Sequence, residues 1–350
     1  MSANVTPGKK PSGSTSLFQV SPGSTLSVSA LLLASLVCNV LAISSPFLEF
    51  SAAFQGKEFY SIPLTIRLMW DFDLYAAAIL IVGFSLIFPF VKLAMLSLAI
   101  WVPMDGPQRG RLLVILRNLG RWSLLDVFIV LTILVLADDQ IFIGAAPREG
   151  VTLFLFAICG SMVASECLDL INEKGTPVDQ DRFSNVRTSL YRQSSAGFWT
   201  MIILWPLSLL SFVAAVGLQY FGISQLLLKN NAYSVLESVM ALRHSDSTFF
   251  ALALLLFLVV FPFIRLVSLA LVGFLPMRES MRNRVNWGSS VVGAWSMLDV
   301  FILALLLFSI EGSRLVKFEI QAGLYLLVLS VMVYYVTVWA HLQLLRKASR

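Results

Sequence analysis

The chain has 350 residues, of which 58% are hydrophobic and only 13% are charged, and its mean hydropathy is +0.83. A soluble domain is typically about 45–50% apolar and about 25% charged. The composition therefore excludes an ordinary soluble enzyme, a disordered chain and a disulfide-stapled secreted module, and it predicts a membrane protein with several spans.

Eight apolar runs are long enough to form transmembrane helices, each of which needs about 20 residues. In chain order they are 26–46, 74–102, 122–138, 151–168, 198–218, 249–275, 295–310 and 323–342. The second run is so long that it requires tilt or a kink. The third and seventh runs are short, so we expect their helices to begin a turn or more earlier.

The basic residues are divided unequally between the two sides of this topology. Sixteen Lys and Arg residues lie on the side of the two termini, including the loops 103–121 and 276–294, and seven lie on the other side. Because loops rich in Lys and Arg remain in the cytoplasm, both termini are predicted to be cytoplasmic. The basic residues fall in short clusters between apolar runs, and this distribution argues against nucleic acid as a partner despite the net charge of +5.

The chain contains one four-helix unit twice, at an offset of 173 residues. Residues 88–93 (FPFVKL) correspond to 261–266 (FPFIRL), and 122–129 (WSLLDVFI) to 295–302 (WSMLDVFI), where seven of eight positions are identical. Each unit has an even number of spans, so both copies enter the membrane from the same side. The prediction is an all-α fold of two parallel repeats, related by a pseudo-two-fold axis along the membrane normal.

The first apolar run follows a Lys-containing tail, as a signal peptide would, but it has an internal counterpart in the fifth run. We therefore expect it to be a retained helix. The predicted organisation has five parts. They are a disordered cytoplasmic tail (1–25), the first membrane repeat (26–168), a cytoplasmic linker (169–197), the second membrane repeat (198–345) and a short tail (346–350).

Four charged residues lie inside predicted spans: Lys92, Asp126, Arg265 and Asp299. A charge at the centre of a membrane helix costs about 2.5–3.5 kcal/mol on insertion scales, so these groups need compensation. The simplest compensation is an ion pair within each repeat, Lys92 with Asp126 and Arg265 with Asp299.

Three interpretations of these charges remain open. The pairs either only fix how two helices dock, or they line a polar cavity that accepts lipid headgroups or couples conformational change to protons. In the third interpretation, Asp126 and Asp299 are solvated near the cytoplasmic interface.

Pro89 and Pro262 lie within long spans, and each removes a backbone donor and kinks its helix. The kink is either static or a hinge that opens a lateral path for lipid. Trp122 and Trp295 are predicted to be interfacial anchors at the cytoplasmic entrance of their helices.

The sequence provides little material for catalysis or for metal binding. Its three cysteines, Cys38, Cys159 and Cys167, form no Cys-x-x-Cys motif, and its two histidines are His244 and His341. No nucleophile has an activating neighbour, and no nucleotide-binding loop is present. We therefore expect no metal, no cofactor and no enzymatic activity.

Two extracytoplasmic loops have amphipathic character. Residues 221–243 show apolar residues at helical spacing, which predicts a helix lying at the membrane surface, and residues 54–70 are a weaker version broken by Pro63. Each loop is either a lid that packs on its own bundle or a surface on which a partner docks.

A Pro-Phe-x-(Lys/Arg)-Leu span, a basic loop and a Trp-Ser-x-Leu-Asp-Val-Phe span together resemble the paraquat-inducible protein A family, over about residues 26–168 and 198–345. The resemblance implies a bacterial inner-membrane protein that moves phospholipid to or from a periplasmic MCE-domain tunnel and supports the cell envelope. Better-known tandem members carry Cys-x-x-Cys zinc ribbons before each unit, whereas segments 1–25 and 169–197 contain no cysteine. The alternative function is a membrane scaffold or stress-response assembly factor without transport activity.

Overall fold

The computed structural model describes residues 16–52, 56–138, 143–175, 189, 191, 195–224, 230–244, 247–312 and 318–348. In this part of the chain, eight helices are long and apolar enough to cross a membrane, so the eight predicted spans are confirmed. They are α1 (Pro22–Ser44), α3 (Ala78–Trp101), α4 (Gly106–Leu136), α5 (Glu149–Asn172), α6 (Gly197–Gly217), α8 (Thr248–Phe274), α9 (Glu279–Ile310) and α10 (Ala322–Lys347). Two shorter helices are α2 (Ile62–Asp71) and α7 (Val235–His244).

Helices α4 and α9 begin 16 residues before their predicted starts at 122 and 295. The arginine-rich segment 103–121 was expected to be a loop, but most of it is helical. Leu113 and Leu116 are buried on one face of this helix, while Arg111 is exposed. An amphipathic pattern of this kind forms a helix even where the charge density is high.

Two small antiparallel sheets, absent from the sequence prediction, cover one end of the bundle, called the sheet end below. The first contains β1 (Leu48–Ala52), β2 (Gly56–Tyr60) and β3 (Ile143–Pro147) in the order β2-β1-β3. The second contains β4 (Phe221–Ser224), β5 (Asn230–Tyr233) and β6 (Phe318–Ile320) in the order β5-β4-β6. Leu48 pairs with Tyr60 just as Phe221 pairs with Tyr233, so the strand register repeats at the 173-residue offset.

A glycine joins each sheet to the last helix of its repeat. The amide of Gly150 donates to the carbonyl of Pro46 at 3.0 Å, and the amide of Gly323 donates to the carbonyl of Gln219 at 2.8 Å. A methyl group at either glycine would collide with the same carbonyl. The close backbone approach explains why the second residue of both helices is a glycine.

The surface helices differ in part from the sequence prediction. In the described part of the segment 221–243, the helix starts at Val235 and runs to His244, because β4 and β5 precede it. This helix starts at a capping box, in which Ser234 and Glu237 each bond the other's backbone amide. Pro63 does not break α2, since it lies in the first helical turn, where proline is tolerated.

The predicted disordered tail is too long. Leu17–Val20 forms one helical turn, Leu17 is buried beside Leu93 and Leu96, and α1 already begins at Pro22. Residues 1–15 and 176–188 lie outside the described residues. In the linker, the Tyr191 hydroxyl lies 2.6 Å from Nδ1 of His341, so this part of the linker docks on α10.

The two repeats meet where α4 packs against α9. Phe128 and Phe301, which correspond at the repeat offset, contact each other edge to face with ring centroids 5.7 Å apart. Contact between equivalent residues is what a two-fold arrangement of the repeats would produce. The axis along the membrane normal stays a prediction.

Candidate functional site

The Trp-Ser-x-Leu-Asp motif interrupts the third helix of each repeat. In α4, Arg121–Leu124 form a tight 3₁₀ turn. In α9, Ser296 leaves the helix with φ −77° and ψ 111°, and the helix resumes at Leu298. Asp126 and Asp299 both lie in the first turn after the interruption, where the positive end of the helix dipole favours a carboxylate.

The second helix of each repeat is widened immediately before its proline. π-helical segments cover Val82–Ile87 in α3 and Leu256–Val260 in α8. Pro262 has no N–H to offer the preceding turn, and the carbonyl of Phe257 instead accepts the amide of Met297 from the break in α9, at 3.2 Å. The two interrupted helices of the second repeat thus satisfy each other's backbone, as membrane burial requires. A hinge at either proline stays a prediction.

The two basic residues occupy equivalent surroundings. Lys92 is 1% exposed and donates to Oγ of Ser161 at 2.9 Å. The Arg265 guanidinium lies 5.5 Å from the ring centroid of Tyr334, which is the repeat counterpart of Ser161. The basic residue therefore contacts the equivalent position of the fourth helix in both repeats, through a hydrogen bond in the first repeat and through an aromatic ring in the second.

A glycine on the third helix makes room for each basic side chain. A methyl group at Gly120 would collide with Nζ of Lys92, and one at Gly293 would collide with the Arg265 guanidinium. Gly120 and Gly293 also correspond at the 173-residue offset.

The two carboxylates have different partners. Asp299 accepts the Arg121 guanidinium at 3.1 Å and the Tyr335 hydroxyl at 2.6 Å. Asp126 is 6% exposed and faces Ser85, and its Oδ1 has no hydrogen-bond partner among the described residues. One acidic group is therefore neutralised across the repeat interface, while no described cation pairs with the other.

The predicted pairing of the four charges is wrong in its partners. No ion pair between described residues joins Lys92 to Asp126 or Arg265 to Asp299. Each basic side chain crosses its neighbouring helix at the glycine, six residues before the carboxylate. Six residues of helix correspond to about 9 Å, too far for a direct ion pair. A role of these residues in headgroup binding or coupling stays a prediction.

Asp126 lines a small open pocket, with a cavity volume of about 70 Å³, in the first repeat. The other lining residues come from the sheet, α2, α3 and α4 and are almost all apolar. They are Phe47, Leu48, Tyr60, Ile62, Thr65, Met69, Ile81, Ile129, Val130 and Ile133. We call this cavity the Asp126 pocket.

The equivalent region of the second repeat is filled. Tyr220 replaces Phe47, is buried, and its hydroxyl lies 2.5 Å from Oγ of Ser238, the counterpart of Thr65. Ser238 donates to the carbonyl of Ser234, so the Tyr220 hydroxyl is the donor to Ser238. Burial raises the pKa of Tyr220 above its ordinary value, which keeps this hydroxyl protonated.

Trp122 and Trp295 do not begin their helices, which start at Gly106 and Glu279. Both rings pack against the widened second helix: Trp122 lies 6.3 Å from Phe84, and Trp295 stacks on Phe257 at 6.1 Å. Their role as interfacial anchors stays a prediction.

Several site residues were not singled out from the sequence. Arg121 was counted as a loop residue, and Ser161, Tyr334 and Tyr335 carry no charge that would mark them. The offset offered one signal, since Ser161 and Tyr334 occupy the same polar position in both copies. Arg117, also assigned to the loop, pairs with Asp169 at 3.0 Å inside the first repeat.

Among the described residues, no group of three His, Cys, Asp or Glu side chains is placed to hold a metal ion. A family model described as Paraquat-inducible protein A matches residues 26–171 and 199–344. No curated protein and no solved structure matches the chain.

Proposed function

The chain belongs to the paraquat-inducible protein A family, and from this premise we propose that it is a non-enzymatic inner-membrane subunit of an intermembrane lipid transport system. Its ligand is phospholipid, and its partner is a periplasmic MCE-domain protein that accepts or delivers the lipid. Both termini lie in the cytoplasm, as the Lys and Arg distribution favours, which places the sheet end in the periplasm.

The observation that carries the proposal is the Asp126 pocket. Ligand pockets typically combine an apolar lining with a few polar groups. The Asp126 pocket has such a lining, and it runs from the sheet towards the interrupted part of α4. A lipid chain suits such a lining, and the sheet side leads towards the proposed partner.

A lateral route for lipid is available on the opposite face of α3. A groove of about 330 Å³ lies between α1 and α3, and its lining contains Leu33, Leu36, Phe90 and Trp101. The described residues that line the groove carry no charge, so the groove suits acyl chains and not headgroups. Pro89 lies beside Phe90, which connects this groove with the widened segment of α3.

A photo-crosslinking amino acid at Thr65 tests the pocket directly, because this half-buried side chain lines it. The intact protein is reconstituted with radiolabelled phospholipid and irradiated. The matched control carries the same amino acid at Ser238, the equivalent position in the filled second repeat. Labelling at 65 that exceeds labelling at 238 supports the proposal, and equal or absent labelling at 65 contradicts it.

The partner is tested at the sheet end. Phe59 on β2 and Met240 on α7 are 51% and 60% exposed, so crosslinkers there leave the core intact. Crosslinks to an MCE-domain protein in cells support tunnel docking. In a strain that depends on this gene, Lys92→Ala with Arg265→Ala should weaken the envelope. Normal envelope integrity, together with purified protein free of lipid, would favour the scaffold alternative.

A further inference from the structure

We propose that the Asp126 pocket selects lipids whose head carries an ammonium group, with the Asp126 carboxylate as the counter-ion. The inference rests on the proposed function and narrows its substrate class. Phospholipids with an ethanolamine head and single-chain amines share this chemistry. Lipids whose head is only anionic lack it.

The charge balance of the pocket carries the inference. Asp126 is the one charged residue among the described lining residues, and the polar group that faces it, the Ser85 hydroxyl, carries no charge. A carboxylate in an apolar cavity is unfavourable unless an opposite charge compensates it. A ligand ammonium supplies both the opposite charge and the hydrogen bond, whereas a phosphate without an amine brings a second negative charge.

The neighbouring basic side chains are engaged elsewhere. Lys92 crosses α4 at Gly120 and bonds Ser161, six residues before Asp126. Arg121 turns towards the other repeat and bonds Asp299. Among the described residues, a cation therefore pairs with the carboxylate of the second repeat and none pairs with the carboxylate of the first.

The two repeats thus differ in structure around their equivalent carboxylates, Asp126 and Asp299. In the second repeat, Tyr220 and Ser238 fill the space, and Arg121 and Tyr335 satisfy Asp299. In the first repeat, Phe47 and Thr65 leave the space open and Asp126 lines it. Asp299 also lines a pocket, but it is already paired with Arg121, whereas no described cation pairs with Asp126.

The experiment measures lipid binding to the intact chain in detergent by native mass spectrometry. The probes are phosphatidylethanolamine and phosphatidylglycerol with identical acyl chains, and dodecylamine. The wild type should bind the ethanolamine lipid at least about tenfold more tightly than the glycerol lipid, the value of a charge-assisted hydrogen bond. Asp126→Asn should remove this preference without weakening phosphatidylglycerol binding, while Asp126→Glu should retain it.

The matched control is the double variant Arg121→Gln with Asp299→Asn, which removes the equivalent carboxylate and its cation together and should keep the preference. A wild type without headgroup preference, or a preference that survives Asp126→Asn, overturns the inference. Binding of dodecylamine but not of phosphatidylethanolamine supports the ammonium site and assigns it to single-chain amines.

A pocket-filling variant separates this inference from the proposed function. Ile129→Trp places a large side chain in the Asp126 pocket and should lower binding of all three probes. If it lowers none of them, the pocket is not the lipid site and both proposals fail. If it lowers all of them but the wild type shows no preference, only the headgroup inference fails.

Discussion

The guanidinium of Arg121, in the third helix of the first repeat, lies 3.1 Å from the carboxylate of Asp299 in the third helix of the second repeat. The repeat counterpart of Arg121 is Ala294, so the bond has no equivalent at Asp126. One arginine therefore ties the two copies together and makes their otherwise matching carboxylates chemically different. The first prediction concerns this pair.

Arg121→Gln and Asp299→Asn should each destabilise the protein, and the double variant should recover part of the loss. Removing one member of a largely buried pair leaves a charge unsatisfied, at a cost of about 3–5 kcal/mol. A double-mutant cycle on detergent unfolding midpoints measures the coupling, expected at about 1 kcal/mol or more. Arg111→Gln, at an exposed position of α4, is the control and should change little. Additive losses would show that the pair contributes no coupling.

Alanine at Gly120 or Gly293 should destabilise the protein. The methyl group at Gly120 displaces Lys92 from Ser161, and the one at Gly293 displaces Arg265 from Tyr334. A buried polar group that loses its partner costs about 1–3 kcal/mol. Thermal unfolding in detergent gives the size of the change.

Gly288→Ala provides the matched control in α9, because nothing lies within 4 Å of the added methyl group. Alanine is a better helix former than glycine by about 1 kcal/mol, so this variant should be stabilised. A loss of stability in Gly288→Ala, like the losses expected in Gly120→Ala and Gly293→Ala, would refute the proposed role of Gly120 and Gly293.

The eight spans and the repeat were predictable because they rest on long-range regularities: apolar runs of membrane length and a gap-free offset. The strands were missed because each has only 3–5 residues, fewer than a periodic pattern needs to stand out. The alternation of Leu48, Glu49, Phe50 and Ser51 is a local signal for β1.

The identities of the four intramembrane charges were predictable, but their partners were not. A charged side chain in lipid is energetically costly, so these four residues stand out in the sequence. Their pairing depends on how far each helix is shifted along its neighbour, which the sequence of one helix does not determine. Gly120 determines the level at which the Lys92 side chain meets α4, and this contact is recognisable only once the two helices are packed. The open and filled pockets likewise differ through small changes such as Phe47 against Tyr220.

Tyr220→Phe should lower stability by about 1 kcal/mol near neutral pH, through loss of the hydrogen bond to Ser238. Because burial raises the pKa of Tyr220, the unfolded chain loses this proton first as the pH rises past about 10. The contribution of the hydroxyl to stability is therefore constant at lower pH and declines above that value. Unfolding midpoints of the wild type and the variant should converge above pH 10, and a gap that is constant or widens would contradict this assignment.

Pro262→Ala should loosen the interruption in α9, and Pro89→Ala should not do the same in α4. Alanine restores an N–H that competes with Met297 for the carbonyl of Phe257, so the Met297 amide loses its acceptor. In the first repeat, Arg121–Leu124 form a continuous 3₁₀ turn whose bonds lie within α4, so the matched change leaves them intact. Hydrogen exchange followed by mass spectrometry should show about tenfold faster exchange at 296–298 in Pro262→Ala, the value of one net hydrogen bond. An equal rise in exchange rate at 296–298 in Pro262→Ala and at the equivalent 123–125 in Pro89→Ala would contradict this explanation. It would mean that the Phe257 carbonyl does not stabilise the interruption in α9. Faster exchange in the second repeat alone would identify the Phe257–Met297 bond as the contact that an opening of this repeat must break.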